Sequence, residues 1–161
     1  IVLPFNEIEM FLVSDEVLYH TMKAVYPLDF QGKILNFKEE FFKTVKKNMD
    51  KIALYNATMN VNEFIAKEKI QDSDSVSAIE ENLKAISQYN VREIYDEKIS
   101  QITEIVEEQR YAELLVVCNL KKEITKGLAN KLLDSNYETK AVQHIQFNKE
   151  LQELIKSKYF A

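Results

Sequence analysis

The sequence is poor in the two residues that turn-rich β structure requires. Of its 161 residues only two are glycine and two are proline, against averages of about 7% and 5%. Strands joined by tight turns need these residues repeatedly. At the same time 46% of the residues are hydrophobic and 29% are charged, which is a globular composition and not a disordered one. The composition therefore predicts an all-α protein.

The residues that carry most enzyme chemistry are also scarce. Gly32 and Gly127 are far apart, so no glycine-rich phosphate loop can form. Arg92 and Arg110 are the only arginines, which leaves bidentate phosphate recognition poorly supplied. Neither histidine lies near a nucleophile elbow or an oxyanion loop. The sequence identifies no catalytic residue and no cofactor motif, and it favours a non-catalytic protein over an enzyme.

The single cysteine and the charge balance limit the environment and the partners. Cys118 has no internal disulfide partner and lies in an apolar run, as a buried structural thiol does. The lack of disulfides favours the cytoplasm slightly but does not define the compartment. The net charge of −5 and the pI of about 5.2 argue against a nucleic-acid-binding surface. The apolar opening segment, residues 1–13, is too short to span a membrane, and a chain that begins with Ile1 is expected to be a fragment or a processed form.

What the sequence does contain is apolar residues at helical spacing, most clearly between Asn90 and Gly127. A helix near 91–126 would be roughly 50 Å long, longer than a small domain is wide. The sequence thus predicts a multi-helix bundle of about six or seven helices packed around this long central helix. We expect one domain over residues 1–161, with a minor boundary possible near 71–76, and a core that is densest around Val116. The spaced apolar residues are Ile99, Ile102, Ile105, Val106, Ala112, Leu115, Val116, Leu120 and Ile124.

Two further features define expected helix boundaries. An apolar stripe from Phe37 to Met59, behind the capping pattern of Asn36 and Glu39, predicts a second long helix. The same capping pattern recurs at Asn90 and Glu93, and at Ser135 and Glu138. A break between Leu133 and Tyr137 is therefore expected before the last helix.

The favoured function is a non-catalytic helical-bundle module for protein–protein interaction or oligomerisation. The long predicted helices are longer than the short ones beside them can cover, which leaves surface for a protein partner or for a second copy. The apolar segment near the start is a candidate partner-binding site, although packing on the chain's own core is the alternative. The acid-rich first half of the central helix is a second place to look for a partner. The candidate partner-binding residues are Phe5, Ile8, Phe11 and Leu12.

The first alternative is a ligand-sensing helical domain of a larger receptor or regulator, in which Tyr19, His20, Tyr26 and Phe30 line a pocket. Glu16 and His20 are one helical turn apart, a spacing that suits a local hydrogen bond better than a metal site. No Glu-x-x-His pair, as a di-iron bundle requires, occurs in the chain. His144 lies on the apolar stripe of the last helix, and we expect it to be a semi-buried, hydrogen-bonded imidazole. No metal ligand is predicted on this interpretation.

The second alternative depends on acidic residues. Between Asp72 and Glu108 there are ten acids against three bases, and a divalent cation is one way to stabilise such a field. Four of these carboxylates loosely resemble the pairs with which all-α nucleotide pyrophosphohydrolases hold magnesium. The resemblance implies a magnesium-dependent hydrolase that binds the metal through Glu81, Glu93 and Asp96, but Lys84 stands where that family has another glutamate. The four carboxylates are Glu80, Glu81, Glu93 and Asp96.

Overall fold

The computed structural model describes residues 7–67 and 75–159. Within these ranges the chain forms helices joined by short turns, and it contains no strand. The predicted all-α multi-helix bundle is confirmed. The low glycine and proline content explains this result, because few positions interrupt the helical hydrogen bonds. The boundary predicted near 71–76 lies largely outside the described ranges.

Within each described range, the helices follow one another with short connections. A 3₁₀ segment comes first, a π-helical segment follows α6, and a second 3₁₀ segment precedes α9. In chain order the elements are the 3₁₀ segment Ile8–Val13, α1 (Asp15–Val25), α2 (Phe30–Lys47), α3 (Met49–Lys67), α4 (Val76–Ser87), α5 (Val91–Glu107), α6 (Tyr111–Val117), the π-helical segment Lys122–Ala129, α7 (Asn130–Leu132), α8 (Tyr137–Val142), the 3₁₀ segment Ile145–Phe147 and α9 (Lys149–Tyr159).

The predicted central helix near 91–126 is not continuous. It is divided into α5, α6 and the π-helical segment. The first break falls at Gln109, whose φ of 53° lies in the left-handed region. The second falls at Cys118, which has extended backbone angles. The apolar periodicity runs across both breaks because all three pieces bury side chains in the same core, so the pattern alone gave no sign of the bends.

Ion pairs hold the first bend. The guanidinium group of Arg110 lies 2.7 Å from the carboxylate of Glu104 and 3.0 Å from that of Glu108, both before or at the bend. It also lies 2.8 Å from the carboxylate of Glu113 in α6. One cation thus joins the end of α5 to the start of α6 across the left-handed residue.

The second predicted long helix, from Asn36 to Met59, is also divided in two. It breaks at Asn48, between α2 and α3, where the amide nitrogen of the side chain donates to the carbonyl of Thr44 at 2.8 Å. The break predicted before the last part of the chain is confirmed, since α7 ends at Leu132 and α8 begins at Tyr137. No side chain caps α8, so the capping box expected at Ser135 does not form.

The core surrounds the first 3₁₀ segment. Two buried tyrosines donate their hydroxyl protons to its carbonyl groups: Tyr111 to Val13 at 2.5 Å and Tyr137 to Leu12 at 2.7 Å. The core is expected to be densest around Val116; Val116 itself is 38% exposed, whereas its neighbours Leu115 and Cys118 are buried. The short helix α6 faces the core with other residues. Those that it buries are Tyr111, Leu114 and Leu115.

Candidate functional site

The four residues predicted to bind a partner have different positions. Phe5 lies outside the described residues, and so does the side chain of Ile8. Phe11 is 1% exposed and Leu12 is 5% exposed, which agrees with the alternative given for this segment, packing on the chain's own core. Both pack in the chain's own core, where the hydroxyl group of Tyr137 fixes the backbone of Leu12. A partner role for this segment stays a prediction, and its described apolar side chains are not on the surface.

Six of the thirteen large apolar residues that are exposed in the described ranges lie elsewhere, on a part of the molecule that we call the helical arm. It consists of residues 58–67 of α3, all of α4 and residues 91–101 of α5. No side chain is buried among the described residues of this arm. In contrast, the rest of α3 buries Ile52, Ala53 and Ala57, and the rest of α5 buries Ile102 and Ile105.

Within the arm, α4 carries an uncovered apolar face. Val76, Ile79 and Leu83 are 73%, 38% and 55% exposed. Their spacing of three and four residues places them on one side of the helix. None of the twelve residues of α4 is buried. Isolated exposed apolar residues are normal, but three on one face of an unburied helix are typical of an interaction surface.

Contacts between helices define the shape of the arm. The ring of Phe64 in α3 stacks on that of Tyr89, with centroids 3.9 Å apart and planes 12° from parallel. The hydroxyl of Tyr95 in α5 donates to Asp50 in α3 at 3.0 Å, and this bond raises the pKa of Tyr95. The side chain of Asn90 accepts from the backbone N–H of Glu93, as the predicted capping pattern requires. These contacts join α3 to α5 and to Tyr89, which lies in the turn between α4 and α5.

The charge of the arm is weakly negative. The arm contains six carboxylates and four basic side chains. Two of each are paired, since Lys67 lies 2.9 Å from Glu63 and Arg92 lies 3.2 Å from Asp96.

The carboxylates that would bind magnesium in the hydrolase alternative are Glu81, Glu93 and Asp96. All three are exposed. Within residues 7–67 and 75–159, no group of three or more histidine, cysteine or acidic side chains is arranged to hold a metal ion. The hydrolase alternative thus stays a prediction, and the arrangement of these side chains does not support it.

A second candidate site is an open groove between α1 and α2, with a volume of about 530 Å³. Three of the four residues predicted for a ligand pocket, Tyr19, His20 and Phe30, line this groove. The fourth, Tyr26, does not; its hydroxyl donates to Asp134 at 3.1 Å, and this bond raises the pKa of Tyr26. The groove is lined by Asp15, Glu16, Tyr19, His20, Phe30, Gln31, Ile34 and Leu35.

The two histidines lie next to each other, although 124 positions separate His20 from His144 in the sequence. Their ring centroids are 6.5 Å apart, and the ring of Phe147 stacks on that of His20 at 3.8 Å. Glu16 pairs with Lys149 at 3.1 Å, and the local hydrogen bond expected between Glu16 and His20 does not occur among the described residues. His144 is partly buried as expected, but its Nδ1 atom has no hydrogen-bond partner among the described residues.

Cys118 has the structural role that the sequence predicted. Its side chain is completely buried, and burial raises the pKa of the thiol to about 12. Because the thiolate is the reactive form of cysteine, this thiol is not suited to nucleophilic chemistry.

Comparison of the chain with protein-family models, with curated proteins and with solved structures finds no match. Within the described residues, no helix is both long enough and apolar enough to cross a membrane.

Proposed function

We propose that this chain is a non-catalytic helical module that binds a protein partner through the helical arm. The observation that supports this function is the burial pattern. The described residues between 58 and 101 include no buried side chain, although α4 has a regular apolar face. Burying that face would be favourable by about 25 cal/mol for each Å² of apolar surface.

The chemistry of the arm favours one kind of partner, an amphipathic helix with basic residues beside its apolar stripe. Apolar residues at helical spacing, here Val76, Ile79 and Leu83, suit a helix that packs lengthwise against α4. Glu80 and Glu81 lie beside this face and are exposed, so they attract lysine or arginine at the rim. A second copy of the chain is the less favoured occupant, because two weakly acidic arms would repel each other.

A pair of designed peptides tests this proposal. The first is a helical peptide of about 14 residues, close to the length of α4, built from leucine on one face and lysine on the other. The second has glutamate in place of every lysine. Fluorescence anisotropy should show saturable binding of the lysine peptide and much weaker binding of the glutamate peptide.

Variants of α4 separate the apolar contact from simple charge attraction. The double substitution Ile79→Ser and Leu83→Ser leaves the charge unchanged and should weaken binding of the lysine peptide by about tenfold or more, because each buried CH₂ group contributes about 0.8 kcal/mol and 1.4 kcal/mol is tenfold. Val142→Ser is the matched control, since Val142 is 54% exposed on α8. All three residues are exposed, so the melting temperatures should change little.

Equal binding of both peptides, or unchanged binding by the α4 double variant, would contradict the proposal. Size exclusion with light scattering supplies the other decisive result. A dimer that the double variant converts to a monomer would show that a second copy occupies the arm, which would refute the proposed partner chemistry.

A further inference from the structure

The groove between α1 and α2 is separate from the helical arm and has a different character. Its eight lining residues come from two adjacent helices, and its volume of about 530 Å³ is within the range of small-molecule sites. Most of the lining is aromatic or aliphatic. Such a lining, with a few polar groups at the edge, is typical of a site for a small organic molecule.

Aromatic rings form one corner of the groove. The rings of Tyr19 and Phe30 have centroids 5.4 Å apart and are nearly perpendicular, at 84°. Tyr19 also meets His20 edge to face at 5.3 Å. The side chain of Tyr19 already attracts a cation, because the ammonium of Lys23 lies 5.1 Å from its ring centroid and 3.0 Å from its hydroxyl oxygen. An aromatic corner of this kind can accept both another ring and an organic ammonium group.

The charged residues that line the groove all have one sign. They are Asp15 and Glu16, and no lysine or arginine is among the lining residues. Each carboxylate has a lysine partner from outside the groove: Lys38 contacts Asp15, and Lys149 lies 3.1 Å from Glu16. The side chain of Lys149 is 73% exposed, whereas that of Glu16 is 26% exposed. An ion pair with one so exposed member is weak, so a bound cation can replace this lysine at Glu16.

From the shape, the aromatic corner and the charge together, we propose that the groove binds a small organic ammonium compound that carries an aromatic ring. The ring packs against the side chains of Tyr19, Phe30 and Ile34, and the ammonium group pairs with Glu16. This binding is independent of the partner proposed for the arm. A ligand-sensing role for it remains a prediction.

The test uses three probes that share a phenyl ring on a two-carbon chain and end in groups of different charge. They are phenethylamine, which is a cation at pH 7, the neutral 2-phenylethanol and the anionic 3-phenylpropionate. Titration followed by amide NMR shifts of the whole chain should show saturable binding of the amine, with the largest shifts in residues 15–20 and 30–35. The neutral alcohol should bind about fivefold more weakly, as expected for a partly exposed ion pair, and the anion should not saturate.

Two substitutions identify the ammonium site. Glu16→Gln should abolish the preference for amine over alcohol without changing the affinity for the alcohol. Glu97→Gln, at an exposed residue of α5, is the matched control and should keep the full preference. Lys149→Met removes the competing ammonium and should strengthen amine binding only.

Several results would overturn the inference. If the wild-type protein bound the amine and the alcohol with equal affinity, charge would not contribute to binding. NMR shifts centred outside α1 and α2 would show that the ligand binds elsewhere. A Glu16→Gln variant that keeps the preference would exclude the assigned ion pair, as would weaker amine binding by Lys149→Met. Failure of all three probes to saturate would show that the groove is not a binding site for these compounds.

Discussion

The buried hydroxyl group of Tyr137 offers the sharpest test of how this core is held together. Tyr137 has no exposed surface, and its hydroxyl donates to the carbonyl of Leu12 at 2.7 Å. The substitution Tyr137→Phe removes the donor while keeping the ring. It leaves the carbonyl of Leu12, a residue that is 5% exposed, without this partner. An unsatisfied buried acceptor costs about 1–3 kcal/mol, so we expect a loss of unfolding free energy in that range.

The loss is measured by urea unfolding at pH 7, with the m-value compared between the variant and the wild type. An unchanged m-value would show that the two unfolding transitions expose the same surface. For a domain of this size, each kcal/mol corresponds to about 2–4 °C in melting temperature, so the melting temperature should fall by roughly 2–12 °C.

Tyr55→Phe is the control for this experiment. Tyr55 is only partly buried, and its hydroxyl makes no hydrogen bond to another described residue. The unfolding free energy of this control should therefore stay within about 0.5 kcal/mol of the wild-type value. If Tyr137→Phe also stays within that limit, the hydroxyl–carbonyl bond does not fix the first 3₁₀ segment, and the description of the core is wrong.

Two further predictions concern ionisation and backbone strain. Burial raises the pKa of Tyr111 and of Tyr137 above the usual value of about 10, so above pH 10 the unfolded chain loses these protons first and stability should fall by about 1.4 kcal/mol per pH unit for each tyrosine. Urea unfolding at pH 9, 10 and 11 measures this decline in stability. The Tyr137→Phe variant should lose stability less steeply as the pH rises. A free energy of unfolding that does not change over this range would contradict the burial of the two hydroxyls. Gln109 has a φ of 53°, so Gln109→Gly should stabilise the protein by about 0.5–1 kcal/mol, because glycine has no left-handed penalty. Gln101→Gly, within α5, should instead destabilise it by about 1 kcal/mol, and equal effects of the two in thermal unfolding would refute the left-handed bend.

The residues of the groove show which contacts local sequence patterns can predict and which they cannot. Tyr19 and His20 were predicted to line a pocket together with Phe30, and all three do so. They lie on two consecutive helices joined by a short turn, so their proximity follows from local structure. Tyr26 was predicted with them, but its hydroxyl bonds to Asp134, 108 residues later. No local pattern indicates a partner at that distance.

The exposed apolar face of α4 shows what local sequence patterns cannot predict. A partner-binding role is predicted for Phe11 and Leu12, with packing on the chain's own core as the alternative. In the structure, Phe11 and Leu12 are buried and Leu83 is exposed. An apolar helical face looks the same in the sequence whether a neighbouring helix covers it or not. Which face is covered depends on how the other helices pack.

The sequence by itself determined the helical class, the cap at Asn90, the break before Tyr137 and the buried state of Cys118. These features depend on composition, on side chains within a few residues, or on a continuous apolar run, so short-range physics is sufficient to predict them. The tertiary structure alone decided where the predicted long helices bend, which apolar faces are buried and which of them remain open on the arm. The burial of these faces results from contacts between distant residues, such as Tyr111 with Val13 and Tyr137 with Leu12. Helical periodicity predicts that one face of a helix is apolar, but only the packing of the other helices determines whether that face is buried or exposed.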